Sequence, residues 1–268
     1  MTNFHPNPNQ NRHGELEQML HNLKLPTFAT AFSALAIRAT KENLSHEAFL
    51  YELAHLECEQ RNQRRIERHL QQSKLPREKT LQSFQLENLT PALRLQIEGL
   101  KNGRFVEEAS NVIVVGPPGV GKSHIVCGVA HELIKGGKTV LWSTTAELVQ
   151  RLLAAKRDLR LPQELARLDR IECVILDDIG YVQQDRDEME VLFTFLAERY
   201  ERKSVMITTN LVFSEWERIF KDPMTTLAAL DRVIHHSVVL DMTGLKSFRA
   251  KQAQENQVQG NISDDATG

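Results

Sequence analysis

Asn111-Val-Ile-Val-Val-Gly-Pro-Pro-Gly-Val-Gly-Lys-Ser123 is the stretch that decides the fold of this 268-residue chain. Residues 112–115 are apolar and β-branched, which is typical of a buried strand. Residues 116–123 match the pattern G-x-x-x-x-G-K-[ST], and the apolar residues of 124–134 predict a helix. A strand, a glycine-rich loop and a helix in this order are the context in which the pattern binds phosphate groups.

The glycine-rich loop predicts a site for a nucleoside triphosphate. Glycines allow successive backbone N–H groups to turn towards phosphate oxygens, and the start of the helix adds partial positive charge. Lys122 is placed to reach the β- and γ-phosphates, and the Ser123 hydroxyl to ligate Mg²⁺. The alternative is a glycine-rich turn without a ligand. The residues that we expect around ATP are Gly116, Pro117, Pro118, Gly119, Val120, Gly121, Lys122, Ser123 and His124.

A second apolar run, residues 173–176, ends in Asp177-Asp178. A strand that ends in this way delivers carboxylates to the edge of an open α/β sheet where ligands bind. We expect Asp177 to hold Mg²⁺ and Asp178 to act as the general base for an attacking water molecule. Many strands end in acidic turns without a function, but the glycine-rich loop upstream favours the catalytic interpretation.

A further predicted strand, Ser204-Val-Met-Ile-Thr-Thr209, is followed by Asn210. An amide at the tip of a strand beside the glycine-rich loop can form a hydrogen bond with the γ-phosphate or the attacking water. Asn also commonly caps turns, so the residue type alone leaves both roles open. The position at the strand tip favours a catalytic role for Asn210.

The second half of the chain alternates between strands and helices. Strands alternating with helices predict a parallel sheet covered by helices, which is an α/β fold. Capping patterns at Thr90-Pro91 and at 144–147 mark two helix starts. The predicted strands are residues 112–115, 138–142, 171–177, 204–209 and 237–241.

The N-terminal part of the chain contains apolar residues at helical spacing and no strand pattern. Pro26 separates the first helix from the second, and Ser45 is a candidate N-cap for a long third helix. We therefore expect a small all-helical domain before the α/β domain. The expected boundaries are a disordered tail at 1–13, the helical domain at 14–80, the α/β domain at 81–250 and a second disordered tail at 251–268.

A basic face lies near the end of the third helix. Residues 61–79 carry seven Arg or Lys residues and two Glu residues in a chain whose formal net charge is −2. Residues 61, 64, 65 and 68 recur at helical spacing, which suits contact with phosphate groups of DNA or RNA. A solvated helix face is the alternative. The candidate DNA-binding residues are Arg61, Arg64, Arg65, Arg68 and Lys74.

Composition excludes several other classes of protein. Apolar residues make up 41% and charged residues 25%, as in ordinary globular proteins. Cys58, Cys127 and Cys173 show neither the spacing of a zinc site nor that of a disulfide framework. The N-terminal segment lacks the apolar core of a signal peptide, and no run is long enough to span a membrane. We therefore expect a cytoplasmic protein without membrane association.

The three motifs together resemble those of an AAA+ P-loop ATPase of the initiator and helicase-loader clade. Four further segments are similar to the IstB-like ATP-binding proteins, the transposition helper ATPases encoded beside a transposase in insertion sequences. The similarity covers about residues 15–250. The segments that carry it are residues 103–112, 145–153, 176–181 and 230–236.

This resemblance implies an ATP-dependent, oligomeric protein that binds double-stranded DNA and recruits or stimulates a cognate transposase. It implies an AAA+ fold with a five-stranded parallel sheet, and a helical N-terminal domain that contributes to DNA binding and assembly. Arg232 matches the position of an arginine finger, which would complete the site of a neighbouring subunit. Without the resemblance, an ion pair of Arg232 with Asp231 at the surface is the simpler interpretation.

Two departures from the family pattern affect the expected activity. The chain after the fifth strand is too short for the helical lid of many AAA+ proteins, and Arg249 is a weak candidate to replace the arginine of that lid. Asp178 stands where Glu is more usual, which favours slow, DNA- or partner-stimulated hydrolysis. Two other functions stay open, a replicative helicase loader with the same ATPase core and a small-molecule kinase.

Overall fold

The computed structural model describes residues 8–181, 186–212, 234, 236–245 and 247–248. The chain divides into two compact units, Met1–Arg68 and His69–Gly268. The division falls within a helix, ahead of the boundary predicted near residue 80. In the part of the chain that the structure describes, no helix has the length and apolar character that crossing a membrane requires.

The first unit is helical, as its apolar spacing predicts. Its helices are α1 (Pro8–Asn22), α2 (Pro26–Glu42) and α3 (His46–Ser73), and α3 continues into the second unit. The Ala48 N–H donates to Ser45 Oγ over 3.1 Å, so Ser45 caps α3 as predicted. Residues 8–13 were predicted as part of a disordered tail but form the start of α1. Pro8 is compatible with this start because a proline at the first helical position sacrifices no intrahelical hydrogen bond.

The second unit contains the sheet. Thr90 caps the first of its helices, and Thr144 forms a capping box with Glu147, both as predicted. Helix α8 has no counterpart among the predicted elements. The elements are α4 (Pro91–Leu100), α5 (Arg104–Glu107), β1 (Asn111–Val115), α6 (Lys122–Lys135), β2 (Val140–Thr144), α7 (Thr145–Arg157), α8 (Leu161–Asp169), β3 (Cys173–Asp177), α9 (Arg186–Arg199), β4 (Ser204–Thr209) and β5 (Ser237–Asp241).

The five strands form one parallel sheet in the order β2-β3-β4-β1-β5. Strand β4 therefore lies between β1 and β3, although it follows both in the chain. Val115 is paired with Thr209, and Leu176 is paired with Ile207. This register brings the glycine-rich loop after β1, Asp177 at the end of β3 and Asn210 after β4 to one edge of the sheet.

Strands β1, β3 and β4 are buried along their whole length. Alternate residues of these strands, such as Ile113, Val174 and Ile207, pack in one apolar cluster with Leu152 of α7 and Phe195 of α9. Period-two alternation places such residues on one face of the sheet. Burial on both faces explains the continuous apolar runs at 112–115 and 173–176.

Arg199 joins the starts of β3 and β4. Its side chain is 2% exposed, and its guanidinium donates to the carbonyl oxygens of Leu168, Ile171, Glu172 and Ser204 over 2.9 to 3.2 Å. Burial lowers the pKa of Arg199 to about 10, so it stays charged at neutral pH. The buried cation is held by backbone dipoles at the edge of the sheet opposite to Asp177.

Arg199→Ala should destabilise the second unit by about 3 kcal/mol, since it leaves buried carbonyl oxygens without donors. Urea unfolding followed by tryptophan fluorescence measures the loss. Arg202→Ala is the control, because Arg202 is exposed and its ion pair with Asp169 lies at the surface. Equal losses in the two variants would contradict a structural role of Arg199.

Candidate functional site

The glycine-rich loop turns sharply between β1 and α6. Gly119 and Gly121 have φ values of 83° and 93°, the left-handed region in which side chains are strained. The edge of the Phe84 ring occupies the place that a Cβ on Gly121 would need. The loop therefore requires glycine at position 121 for two reasons, backbone conformation and space.

Lys122 points back across this loop. Its ammonium group donates to Gly116 O over 2.7 Å and to Pro117 O over 3.0 Å. The residue is 9% exposed. The positive charge thus lies against the backbone of the loop, where a bound triphosphate would place its β- and γ-oxygens.

Asp177 is the centre of a hydrogen-bonded group. Its Oδ1 accepts from Ser123 Oγ over 2.7 Å and from Thr208 Oγ1 over 2.6 Å. Its carbonyl oxygen accepts from Thr145 Oγ1 over 3.2 Å. The predicted metal ligands Ser123 and Asp177, which are far apart in the chain, are therefore in direct contact.

Asp178 adopts a left-handed backbone conformation, with a φ of 67°. This conformation is uncommon for residues with a side chain. Its N–H donates to Thr208 Oγ1 over 2.8 Å. The Thr208 hydroxyl thus bridges the two acidic residues, because it donates to Asp177 and accepts from Asp178.

Asn210 lies at the same edge, directly after β4. Its Oδ1 is buried and has no hydrogen-bond partner within the described ranges. A Cβ on Gly180, in the short turn Ile179–Tyr181 after β3, would collide with this oxygen. Buried amide oxygens normally have a donor, so the Asn210 amide is a candidate for contact with a ligand.

These contacts fit a Mg²⁺-bound nucleoside triphosphate. A hydroxyl and a carboxylate oxygen in contact are the ligand types that Mg²⁺ takes beside phosphate oxygens. Asn210 follows β4, which lies between the strand before the glycine-rich loop and the strand before the acidic pair. The residues that would hold the metal ion are Ser123 and Asp177, with Lys122 and the loop backbone holding phosphate.

The His124 side chain does not extend into the loop. Its Nε2 lies 2.9 Å from Thr80 O and 3.1 Å from Ser83 Oγ, and its ring packs at 5.1 Å from that of Phe84. A carbonyl oxygen only accepts, so Nε2 carries the proton. His124 therefore fixes the segment before α4, and only its backbone stays available to the predicted nucleotide site.

Three predicted features lie outside the described residues. They are the arginine-finger candidate Arg232, the lid-arginine candidate Arg249 and the disordered tail predicted over 251–268. The strand predicted over 237–241 is present as β5.

The residues of the predicted basic face differ in their contacts, and they do not all belong to the first unit. Arg61 donates over 2.7 Å to Glu57, which is 3% exposed and accepts from the N–H groups of Thr27 and Phe28. Arg61 therefore contributes to the packing of the helical unit. Arg64, Arg65 and Arg68 are exposed, and Arg65 donates to Asn62. In the described part of the chain, Arg64 and Arg68 form no ion pair, whereas Lys74 lies in the second unit.

Thr208 is a site residue that sequence reasoning missed. The pattern of the strand at 204–209 indicates a role for Asn210 at its tip and none for Thr208. The signal was available, since a polar residue that ends an apolar strand beside Asp177 can reach its carboxylate. Gly180 was missed for another reason, because nothing in the sequence shows that it faces Asn210.

Strand order, glycine-rich loop, acidic pair and strand-tip amide define an AAA+ P-loop ATP-binding protein. The chain belongs to the family of IstB-like ATP binding proteins, whose model matches residues 18–256. It is 41% identical to the "Putative insertion sequence ATP-binding protein y4iQ/y4nD/y4sD" of Sinorhizobium fredii, over 88% of this chain and 80% of that protein.

Two further comparisons concern the family and the fold in turn. The chain is 35% identical to the "Insertion sequence IS21 putative ATP-binding protein" of Pseudomonas aeruginosa, over 90% of this chain and 91% of that protein. The crystal structure of DnaI has a TM-score of 0.53 and 20% identity, over 63% of this chain and 95% of that chain. The structural likeness concerns the fold alone.

Thr208→Val should lower the free energy of unfolding by about 2 kcal/mol, because it leaves the Asp178 N–H without its acceptor and removes one of the two hydroxyl donors to Asp177 Oδ1. Thr208→Ser keeps the hydroxyl and should retain most of that stability. Urea unfolding of both variants compares them. A similar loss in both variants would show that the methyl group, rather than the hydroxyl, is the stabilising part.

Proposed function

We propose that this protein is a Mg²⁺-dependent ATPase that assembles as a homo-oligomer on double-stranded DNA and recruits or stimulates a cognate transposase in the cytoplasm. The reaction is the hydrolysis of ATP to ADP and phosphate. The observation that carries the proposal is the contact of Ser123 and Thr208 with Asp177, with Asp178 and Asn210 beside it.

Each residue of the proposed site has a distinct role. Lys122 binds the β- and γ-phosphates, Asp178 accepts a proton from the attacking water, and the Asn210 amide orients that water or the γ-phosphate. Mg²⁺ held by Ser123 and Asp177 supplies positive charge to the phosphate oxygens. Arg232 of a neighbouring subunit completes the site and stabilises the charge of the departing γ-phosphate.

The DNA-binding part of the proposal draws on the first unit. Arg64, Arg65 and Arg68 present exposed cationic groups on one stretch of α3. Contacts of this kind hold DNA without reading its sequence. Because the net charge of the chain is −2, affinity for DNA is expected to come from several basic faces acting together in an oligomer.

The transposition role is favoured over the helicase-loader role by the relatives. Both sequence relatives described above are named as insertion sequence proteins. A small-molecule kinase is disfavoured by Asn210 at the strand tip, which suits activation of water. A transposase gene adjacent to the gene of this protein would support the transposition role.

Asp178→Asn should retain ATP binding and reduce turnover by at least about 100-fold, because the amide cannot accept a proton from water. Phosphate release measures turnover, and a fluorescent ATP analogue measures affinity. Lys122→Ala is the comparison variant and should lose affinity instead. Unchanged turnover in Asp178→Asn would remove Asp178 from the catalytic role.

Arg64→Ala/Arg68→Ala should weaken DNA binding and flatten its salt dependence. If each arginine contacts one phosphate, the slope of log affinity against log salt becomes shallower by about 1.8. Fluorescence anisotropy with a labelled duplex, ATP and Mg²⁺ over a NaCl series measures this slope.

Arg12→Ala/Lys41→Ala is the matched control for this experiment. It removes the same charge from exposed positions of α1 and α2 in the same unit. Equal flattening in both double variants would indicate an effect of net charge and contradict direct contact by α3.

A further inference from the structure

Gly180 is in close contact with the Asn210 side chain. A Cβ on Gly180 would lie closer to Asn210 Oδ1 than real Cβ atoms approach any neighbour. The next nearest atoms are Leu211 Cγ at 3.4 Å and Asn210 Cγ at 3.5 Å, which are ordinary contacts. A single atom of one side chain therefore excludes a methyl group at position 180.

The backbone does not require glycine at this position. Among the glycines that the structure describes, those with positive φ are Gly103, Gly119, Gly121 and Gly137, and Gly180 is not one of them. An alanine can therefore adopt the conformation of Gly180 without strain. What Gly180 provides is space rather than conformational freedom.

The methyl group of an alanine at position 180 would collide with an atom that is able to move. Asn210 Oδ1 is the end of a side chain, and it accepts no hydrogen bond from the described residues. Its displacement therefore breaks no bond of that oxygen, and the fold need not change. An alanine at position 180 would shift the amide of Asn210 rather than the backbone.

We propose that Gly180 is a positioning residue, which sets where Asn210 presents its amide at the nucleotide-facing edge of the sheet. This inference rests on the proposed ATPase function and on the role of Asn210 within it. Gly180 follows the acidic pair Asp177-Asp178 by two residues, so the turn that carries the proposed base also fixes the proposed amide. The short segment that follows β3 thus determines where the Asp178 carboxylate and the Asn210 amide lie relative to each other.

The test is a double-mutant cycle with Gly180→Ala, Asn210→Ala and both together. Gly180→Ala should lower kcat by about 10- to 100-fold, since a displacement near 1 Å of a catalytic group can cost this much. The affinity for ATP and the thermal midpoint of unfolding should stay unchanged. In the Asn210→Ala background, Gly180→Ala should have no further effect on kcat.

Gly99→Ala is the control, because Gly99 lies in α4 and, apart from the adjacent backbone of that helix, has no atom within 4 Å of the position of an added Cβ. It should turn over ATP at the wild-type rate. If Gly180→Ala alone fails to fold, the double variant decides: a folded double variant with the kcat of Asn210→Ala supports the inference, and an unfolded one overturns it.

Two other outcomes separate this inference from the proposed function. Slow turnover in Asn210→Ala with wild-type turnover in Gly180→Ala would overturn the role of Gly180 alone. Wild-type turnover in Asn210→Ala would overturn the proposed role of Asn210, and the inference with it. A further fall in kcat on adding Gly180→Ala to Asn210→Ala would show that Gly180 acts through another group, which also overturns the inference.

Discussion

The candidate site depends on the carboxylate of Asp177. Its Oδ1 accepts from Ser123 at the start of α6 and from Thr208 at the end of β4, so one oxygen joins three elements that the chain separates widely. Because Thr208 also accepts from the Asp178 N–H, the same contact fixes the uncommon backbone of the proposed base. Loss of this carboxylate would remove the side-chain bonds that join Ser123 and Thr208 to β3.

In the glycine-rich loop, backbone carbonyl oxygens bind the Lys122 ammonium group, which a phosphate group can also bind. The Lys122 ammonium is satisfied by the carbonyls of Gly116 and Pro117, so the buried cation is not left uncompensated. A triphosphate offers oxygens of much greater negative charge, and charge-assisted bonds are the stronger ones. The loop can therefore keep its shape while its lysine exchanges partners.

Features with a local pattern were predictable from the sequence, and features that depend on long-range contacts were not. The glycine-rich loop, the five parallel strands and the caps at Ser45, Thr90 and Thr144 follow from residues that are neighbours in the chain. The bridging role of Thr208 and the packing of Gly180 against Asn210 depend on strand order. Arg61 belonged to a regular basic pattern, yet its pairing with buried Glu57 could be found only in the folded unit.

Strands β3 and β4 are fastened at both ends. Arg199 bridges their starts through backbone carbonyls, and Thr208 bridges their finishes through Asp177. Sliding one strand along the other would break buried hydrogen bonds at both ends at once. The two strands therefore form a stiff pair within the sheet. Movement of the elements attached to these two strands would therefore leave the spacing between Asp177 and Thr208 constant.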